Sequence, residues 1–321
     1  MGAYIIRRIL WGIVLLILVS ALTFVLFNVL PAADPAVLRA GRNATPQDIA
    51  IIRHQLGLDK PIYTQFYRYM KAIILHFNFG FSYYSGQSVI SLIKDRFPAT
   101  LSLTLGAVVV WMLMGIPVGI ISAIKRGTFL DRVAMGGALV FVSMPTFWLG
   151  LLLLLLFAKT TGYLHIFPGF ASYVPFSQNP GKWFTSLLLP WFVLAATSAA
   201  IYSRLLRGSL LETMGEDYIR TARAKGLPER TVIRRHAVRS AITPIVTLIG
   251  LDVGTLLAGN AILTETVFNI PGVGRLLYNA INVSDLTTIQ GITLFGAFFI
   301  VFFNLIVDIG YAYLDPRVRY T

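Results

Sequence analysis

Six long apolar stretches decide most of what this chain can fold into. Residues 9–30, 99–124, 133–158 and 184–203 contain no charge at all. Residues 241–264 contain one, Asp252, and residues 286–314 contain one, Asp308. A membrane-spanning helix needs about 20 mostly apolar residues. Within hydrocarbon the backbone has to satisfy its own hydrogen bonds, which selects helix. The chain is therefore expected to be an all-α integral membrane protein with six transmembrane helices. Composition agrees: 56% of the residues are apolar and 13% are charged, where a soluble domain carries about 25% charged residues. A soluble enzyme and a disordered chain are both excluded on these figures. With no cysteine, disulfides, thiolate metal sites and Cys nucleophiles are excluded too.

The charge excess sets the expected orientation. There are 27 Lys and Arg against 14 Asp and Glu, a net charge of +13. In a soluble protein that surplus points to nucleic acid, whereas in a membrane protein it marks cytoplasmic loops. With the N-terminus inside, the inner segments hold Arg7, Arg8, Lys125, Arg126 and Arg132. They also hold Arg204, Arg207, Arg220, Arg223, Lys225, Arg230, Arg234, Arg235 and Arg239, then Arg317 and Arg319. Beyond residue 98 the outer connections hold only Lys159, Lys182 and Arg275. Both termini are expected to be cytoplasmic. Arg7 and Arg8 before an apolar run can also mimic a signal peptide, with cleavage near Ala32–Ala33. The run of 9–30 is longer than the ~7–15 residues of a signal core, so it is expected to stay as the first helix.

Two connections stand out. Residues 31–98 carry turn residues at Pro31, Pro35 and Pro46, followed by amphipathic stretches over 46–56 and 61–77. The expectation is a first domain, 1–98, made of one transmembrane helix and an extracytoplasmic helical segment. A second domain, 99–321, is then a core of five transmembrane helices with a long, basic inner loop at 204–240.

The common catalytic signatures fail. Gly181-Lys182 is followed by Trp183 rather than Ser or Thr, so it is no phosphate-binding loop. His54, His76, His165 and His236 have no ligand partner at i+3 or i+4, and no Gly-x-Ser-x-Gly elbow exists. No catalytic residue, nucleotide site or metal site is expected in this chain.

The inner loop is the most informative stretch. Glu216 and Asp217 open a helical run, with acidic charge where the helix dipole favours it. Tyr218, Ile219, Arg220, Thr221, Ala222, Arg223, Ala224 and Lys225 follow, then Gly226 as a helix stop and Pro228 as a new start. Tyr218, Ile219 and Ala222 share one face, and Ala222 and Ala224 make the helix slim enough for close approach by a partner. A second helix is expected from about 229 to 240. On physics alone the segment reads as a basic stretch lying on anionic lipid.

The run from Glu216 to Leu227, continuing to His236-Ala237 and Pro244, resembles the cytoplasmic coupling loop of binding-protein-dependent ABC importers. More narrowly it resembles the B-type permease of dipeptide, oligopeptide and nickel importers. The family loop has Glu-Ala-Ala, three residues, then Gly. Arg220, Thr221, Ala222 and Gly226 occupy those positions here, with Arg220 in place of the acid. The likeness extends through Leu56–Pro61, Phe97–Leu101, Thr264–Phe268, Pro271–Gly274, and Asn304, Asp308, Asp315, Pro316 and Arg317. Departures are Gln87-Ser88-Val89, without the usual proline, Asp252 where glutamine is common and Asn260 where a small residue is common.

Charges inside a membrane are costly and point to function. Asp252 and Asp308 could form a proton- or cation-binding pair, or each could be structural. For Asp308, close to a helix end and four residues from Asn304, the structural reading is favoured. For Asp252, packing and pore lining both stay open. Gly250, Gly254 and Ala258 form a small-residue stripe for close helix contact. Gly115, Pro117, Gly119 and Pro145 are candidate kinks. Residues 265–277, with Pro271, Gly272 and Gly274, read as a re-entrant turn at the outer mouth or a plain outer loop.

The resemblance implies a type I ABC importer permease fold, a second similar permease, two ABC ATPase subunits and an extracytoplasmic binding protein. ATP and Mg would sit on the ATPases, with no cofactor in this chain. Glu216, Asp217, Tyr218, Arg220, Thr221, Ala222, Arg223, Ala224 and Gly226 would form the ATPase-coupling loop. Asp252, Asn260, Glu265, Phe268, Pro271, Gly272 and Gly274 would be candidates for the pore or outer mouth. The implied cargo is dipeptides or oligopeptides, with nickel or oligosaccharides as alternatives in the same family. Rivals from other classes are an ion-coupled secondary transporter and a membrane scaffold without transport.

Overall fold

A computed structural model of the chain describes residues 2–30, 35–40 and 44–314. Pro31, the Ala32–Ala33 position, and Asp315, Pro316, Arg317 and Arg319 lie outside the described residues. The described chain is helical, with two isolated β-bridges. In order the helices are α1 (Gly2–Phe24, loosening into a π turn over Val25–Val29), α2 (Pro35–Ala40), α3 (Pro46–Leu56) and α4 (Ile62–His76). Next come α5 (Val89–Ile124), α6 (Phe129–Ser143), α7 (Thr146–Phe157), α8 (Pro180–Thr213) and α9 (Asp217–Ala224). The last are α10 (229–241, with a π turn in its middle), α11 (Thr243–Asn260), α12 (Ile262–Phe268), α13 (Val273–Asn282) and α14 (Leu286–Leu314).

Among the described residues five helices are long and apolar enough to cross a membrane, and a sixth span exists if α6 and α7 are taken together. That pair is where the expected third span, 133–158, needs correcting. The chain bends by 103° between α6 and α7. Met144 and Pro145 both adopt extended backbone there. A proline disfavours helical backbone at the residue before it, so the break falls at Met144. Two other expected boundaries move. α8 does not stop at Ser203 but runs on to Thr213, so the inner connection between helices starts at 214 rather than 204. The fifth stretch does not continue to 264. It ends at Asn260, where Gly259 takes a left-handed φ of +95°, available to glycine at little cost.

The helices group into two compact units. One comprises Met1–Pro98, Leu257–Ile262 and Gly272–Thr321, the other Ala99–Leu256 and Leu263–Pro271. α13 and α14 group with the N-terminal segment.

In the first unit α1 packs on α14. Phe66 of α4 meets Phe24 edge-on and Tyr69 meets it tilted, with ring centroids 5.4 and 5.5 Å away. Burial pushes the Tyr69 phenol well above its ordinary value. Val89, Ile93, Val273 and Ile292 form a small core, flanked by Phe79, Phe97 and Phe295. Buried Asp285 sits at the start of α14. It accepts from the Ser82 hydroxyl, from Tyr83 N–H at 3.1 Å and from the Thr288 hydroxyl at 2.7 Å. These bonds tie the 78–88 turn to the last helix.

In the second unit α8 is the central helix, with 56% of its spanning window buried. α5 approaches it closely because Gly115 and Gly119 lack side chains. A Cβ at either would stand 2.9 or 2.8 Å from the carbonyl oxygen of Ala199 or Ser203. α5 is unbroken from Val89 to Ile124, so these glycines serve packing rather than a break. Trp191 lies against Gly106 and donates its indole N–H to the Ser102 carbonyl at 3.0 Å. Trp111 and Tyr202 pack with ring centroids 5.8 Å apart.

Candidate functional site

The loop singled out from sequence is a short helix held on a rigid base. After α8 the chain turns through Met214 and Gly215, and Glu216 takes extended backbone as the N-cap of α9. α9 is strongly amphipathic. Ile219 and Ala222, one turn apart, are buried, while Asp217, Tyr218, Arg220, Thr221, Arg223 and Ala224 are exposed. The face expected to join Tyr218, Ile219 and Ala222 is therefore divided. Ile219 and Ala222 seat the helix on its own chain, and Tyr218 and Ala224 stay exposed.

The base is α10, whose Val232, Ala237 and Ala241 are fully buried. Ser209 of α8 donates its hydroxyl to the Ala241 carbonyl at 3.1 Å. The far end of α9 is clamped by Arg223, which donates to both oxygens of Glu229 at 3.1 and 2.7 Å. That guanidinium holds the Glu229 carboxyl below the usual carboxylate range, and the carboxylate raises Arg223 in turn. The Arg220–Asp217 pair, at 3.3 Å and largely exposed, contributes little. Between α9 and α10, Gly226 reverses the chain with φ +77° and donates its N–H to the Arg223 carbonyl at 2.9 Å. Nothing lies within 4 Å of where its Cβ would be. The glycine is needed for backbone conformation, not for space. Arg230, Arg234, Arg235 and Arg239 are exposed along α10, so the surface around α9 is cationic.

Sequence reasoning missed the strongest polar cluster in this unit. Asp131, buried in the first turn of α6, receives two bonds from Arg207 of α8, Nε and Nη2 each at 2.8 Å. It also accepts the Ser122 hydroxyl and the Gly127 N–H. The α5–α6 turn is thus fastened to α8 ten residues before α9. One signal was present. Thr128 followed three residues later by Asp131 is a helix-start pattern, and Thr128 does cap α6. Its partner lay hidden because Arg207 was assigned to a loop.

The pore and outer-mouth candidates fall on separate features. Asp252 is half-buried on α11 and accepts the Tyr202 hydroxyl at 2.6 Å. Glu265 on α12 is fully buried and accepts the Thr100 hydroxyl at 2.7 Å. Phe268 is buried beside Gly150, and its carbonyl accepts the Ala171 N–H at 3.0 Å. Pro271 is half-buried in the turn that follows. In the other unit Asn260 is exposed at the end of α11, Gly272 is the buried N-cap of α13, and buried Gly274 lies against Gly259. A Cβ at Gly274 would stand 2.6 Å from the Gly259 carbonyl oxygen. The 265–277 stretch is thus two short helices joined by a tight turn rather than one irregular loop. Asp308 pairs with Arg8 at 3.0 Å. Among the described residues no group of three or more His, Asp or Glu side chains could hold a metal.

The chain matches the family described as binding-protein-dependent transport system inner membrane component over residues 115–320, and the N-terminal membrane component of the same systems over residues 1–104. It is 41% identical over 320 residues to a Brucella abortus (strain 2308) protein named as a peptide transport system permease, with both chains fully covered. It is 38% identical over 317 residues to the glutathione transport system permease protein of Salmonella paratyphi A, covering 99% of each. To a protein of Escherichia coli K12 named as a D,D-dipeptide transport system permease it is 38% identical over 335 residues, covering 98% of this chain and 97% of the other.

Proposed function

The chain belongs to the binding-protein-dependent transport system inner membrane components, and from that premise we propose how its parts work in the import of peptides. It is a multi-pass inner membrane protein and a permease subunit of an ABC importer. Peptide, D,D-dipeptide and glutathione are the cargoes in its relatives' names. All are short chains with amide bonds and free ends, so the cargo proposed here is a short peptide, delivered by an extracytoplasmic binding protein. A second homologous permease would form the other wall of the pathway. Two ABC ATPase subunits would bind and hydrolyse ATP with Mg, and this chain would carry no cofactor. Both termini would lie in the cytoplasm, with α9 and α10 on the same side.

The observation that carries this reading is the mounting of α9. Two buried side chains, one clamp and one turn hold it on α10, which is itself bonded to α8, and its other residues are presented outward in a cationic field. A helix so held transmits displacement to α8 instead of absorbing it. The chain has no native cysteine, so Tyr218→Cys is a single reactive site. In the assembled complex it should cross-link to an ATPase subunit, and ATP should change the yield. Reaction with lipid or solvent alone, in a complex that still transports, would overturn the coupling role.

A further inference from the structure

One cavity in the first unit joins a charged pair to an apolar trough, and the coupling role does not use it. It is a groove of about 370 Å3 along α1 and α14. At its mouth Arg8 Nη1 donates to Asp308 Oδ2 at 3.0 Å. Arg8 Nε donates to the Tyr4 hydroxyl at 3.2 Å, and the guanidinium lies 5.4 Å from the Tyr4 ring centroid. These contacts fix the cation in place. Asn304 lies one turn further along α14, and the lining then becomes apolar with Trp11, Leu15, Phe298 and Phe302. Gly12 lets the two helices touch beside the groove, since its Cβ would stand 3.1 Å from Val301 Cγ1. From Arg8 to Leu16 the lining covers eight residues of helix, about 12 Å along the axis, which reaches well into the acyl region.

Two observations define the occupant. First, Arg8 and Asp308 lie near one end of the spans Tyr4–Val29 and Leu286–Gly310, which is headgroup level. Second, both remain partly exposed, at 46% and 25%, and each has capacity left. Arg8 has a further guanidinium nitrogen, and Asp308 a second oxygen. A phosphate suits Arg8, and a primary ammonium suits Asp308. A headgroup with phosphate alone would meet the carboxylate's charge unmatched, and a trimethylated amine has no N–H to donate. We propose that this groove binds a phospholipid bearing both a phosphate and a primary ammonium, phosphatidylethanolamine being the probe. Its headgroup lies across Arg8 and Asp308, and one acyl chain lies among Trp11, Leu15, Phe298 and Phe302. The site is independent of the cargo and of the ATPase coupling.

The test uses the complete complex in nanodiscs of equal phosphatidylethanolamine, phosphatidylcholine and phosphatidylglycerol, followed by native mass spectrometry of the lipid that stays bound. The unaltered complex should retain phosphatidylethanolamine above the other two by about tenfold, the effect of one charge-assisted hydrogen bond. Asp308→Asn should reduce that preference to near parity, and Arg8→Gln should lower retention of all three. Equal retention by the unaltered complex overturns the proposal without reliance on any variant. So does preference for phosphatidylglycerol, or a preference that survives Asp308→Asn. If Trp11→Cys cross-links to a partner subunit and no lipid is retained, the groove is a protein interface and the proposal fails.

Discussion

At the scale of single residues, backbone conformation matters as much as side-chain chemistry. Gly226 has open space around it but a left-handed φ. Alanine there should cost about 1 kcal/mol in that conformation, whereas asparagine tolerates it better. Transport-coupled ATPase activity should therefore fall in the order Gly, Asn, Ala, Val. An order that followed side-chain volume instead would mean that space, not conformation, is limiting. Glu229 offers a pH test. Its carboxyl is lowered in the folded chain, so the Arg223 clamp contributes fully above the ordinary carboxylate value and is lost as pH falls through the lowered one. At neutral pH the clamp should be insensitive to pH, while Glu229→Gln should loosen the α9–α10 turn, read as faster amide exchange over 223–229. Asp131 and Arg207 should behave as a unit. Asp131→Ala leaves an uncompensated guanidinium and should lower the unfolding temperature more than a paired replacement of both by apolar residues of similar size. The sequence showed Asp131 and Arg207 as ordinary charges because they lie 76 positions apart, and pairing at such range leaves no periodic trace. Gly226 was legible because a helix stop is a local pattern.

Among the helices, hydropathy located every apolar run and misplaced several ends. The run at 184–203 stops where charge begins, yet α8 continues because Leu206 and Leu210 still face the core, both fully buried. Charge on one face ends an apolar run without ending a helix. Leu210→Ala should therefore cost about 2–5 kcal/mol, measured by thermal unfolding in detergent, a loss that a flexible loop residue would not show. The α6–α7 bend was invisible to composition for the opposite reason. Both arms are apolar, so 133–158 reads as one span. Only Pro145 marks the break. Pro145→Ala removes the restriction on Met144, and spin labels at the two arms' far ends should then report a longer mean distance. The amphipathic stretches at 46–56 and 61–77 match α3 and α4 almost to the residue, because prolines at 46 and 61 mark where each starts.

For the whole chain, the charge surplus and the apolar runs serve different ends. The apolar runs commit the chain to the bilayer. Part of the surplus, seven Lys and Arg against three acids over 214–241, lies beside α9 and α10, where the exposed arginines make a cationic surface. The pore candidates were the least legible, because lining a pathway depends on a second chain and on which side each helix turns. Asp252 illustrates this. It was open between packing and lining, and its bond to Tyr202 gives it a partner without deciding its access to cargo. The unbroken length of α8 carries a mechanical consequence. Its 34 residues extend about 51 Å, and with the apolar run 184–203 filling about 30 Å of hydrocarbon, residues 204–213 carry about 15 Å of stiff rod past the lipid towards α9. That projection is a lever arm. Tilting the rod by about 5° moves its tip by ~1.3 Å over that length, which makes angular motion within the membrane and linear travel at the coupling surface two measures of one displacement.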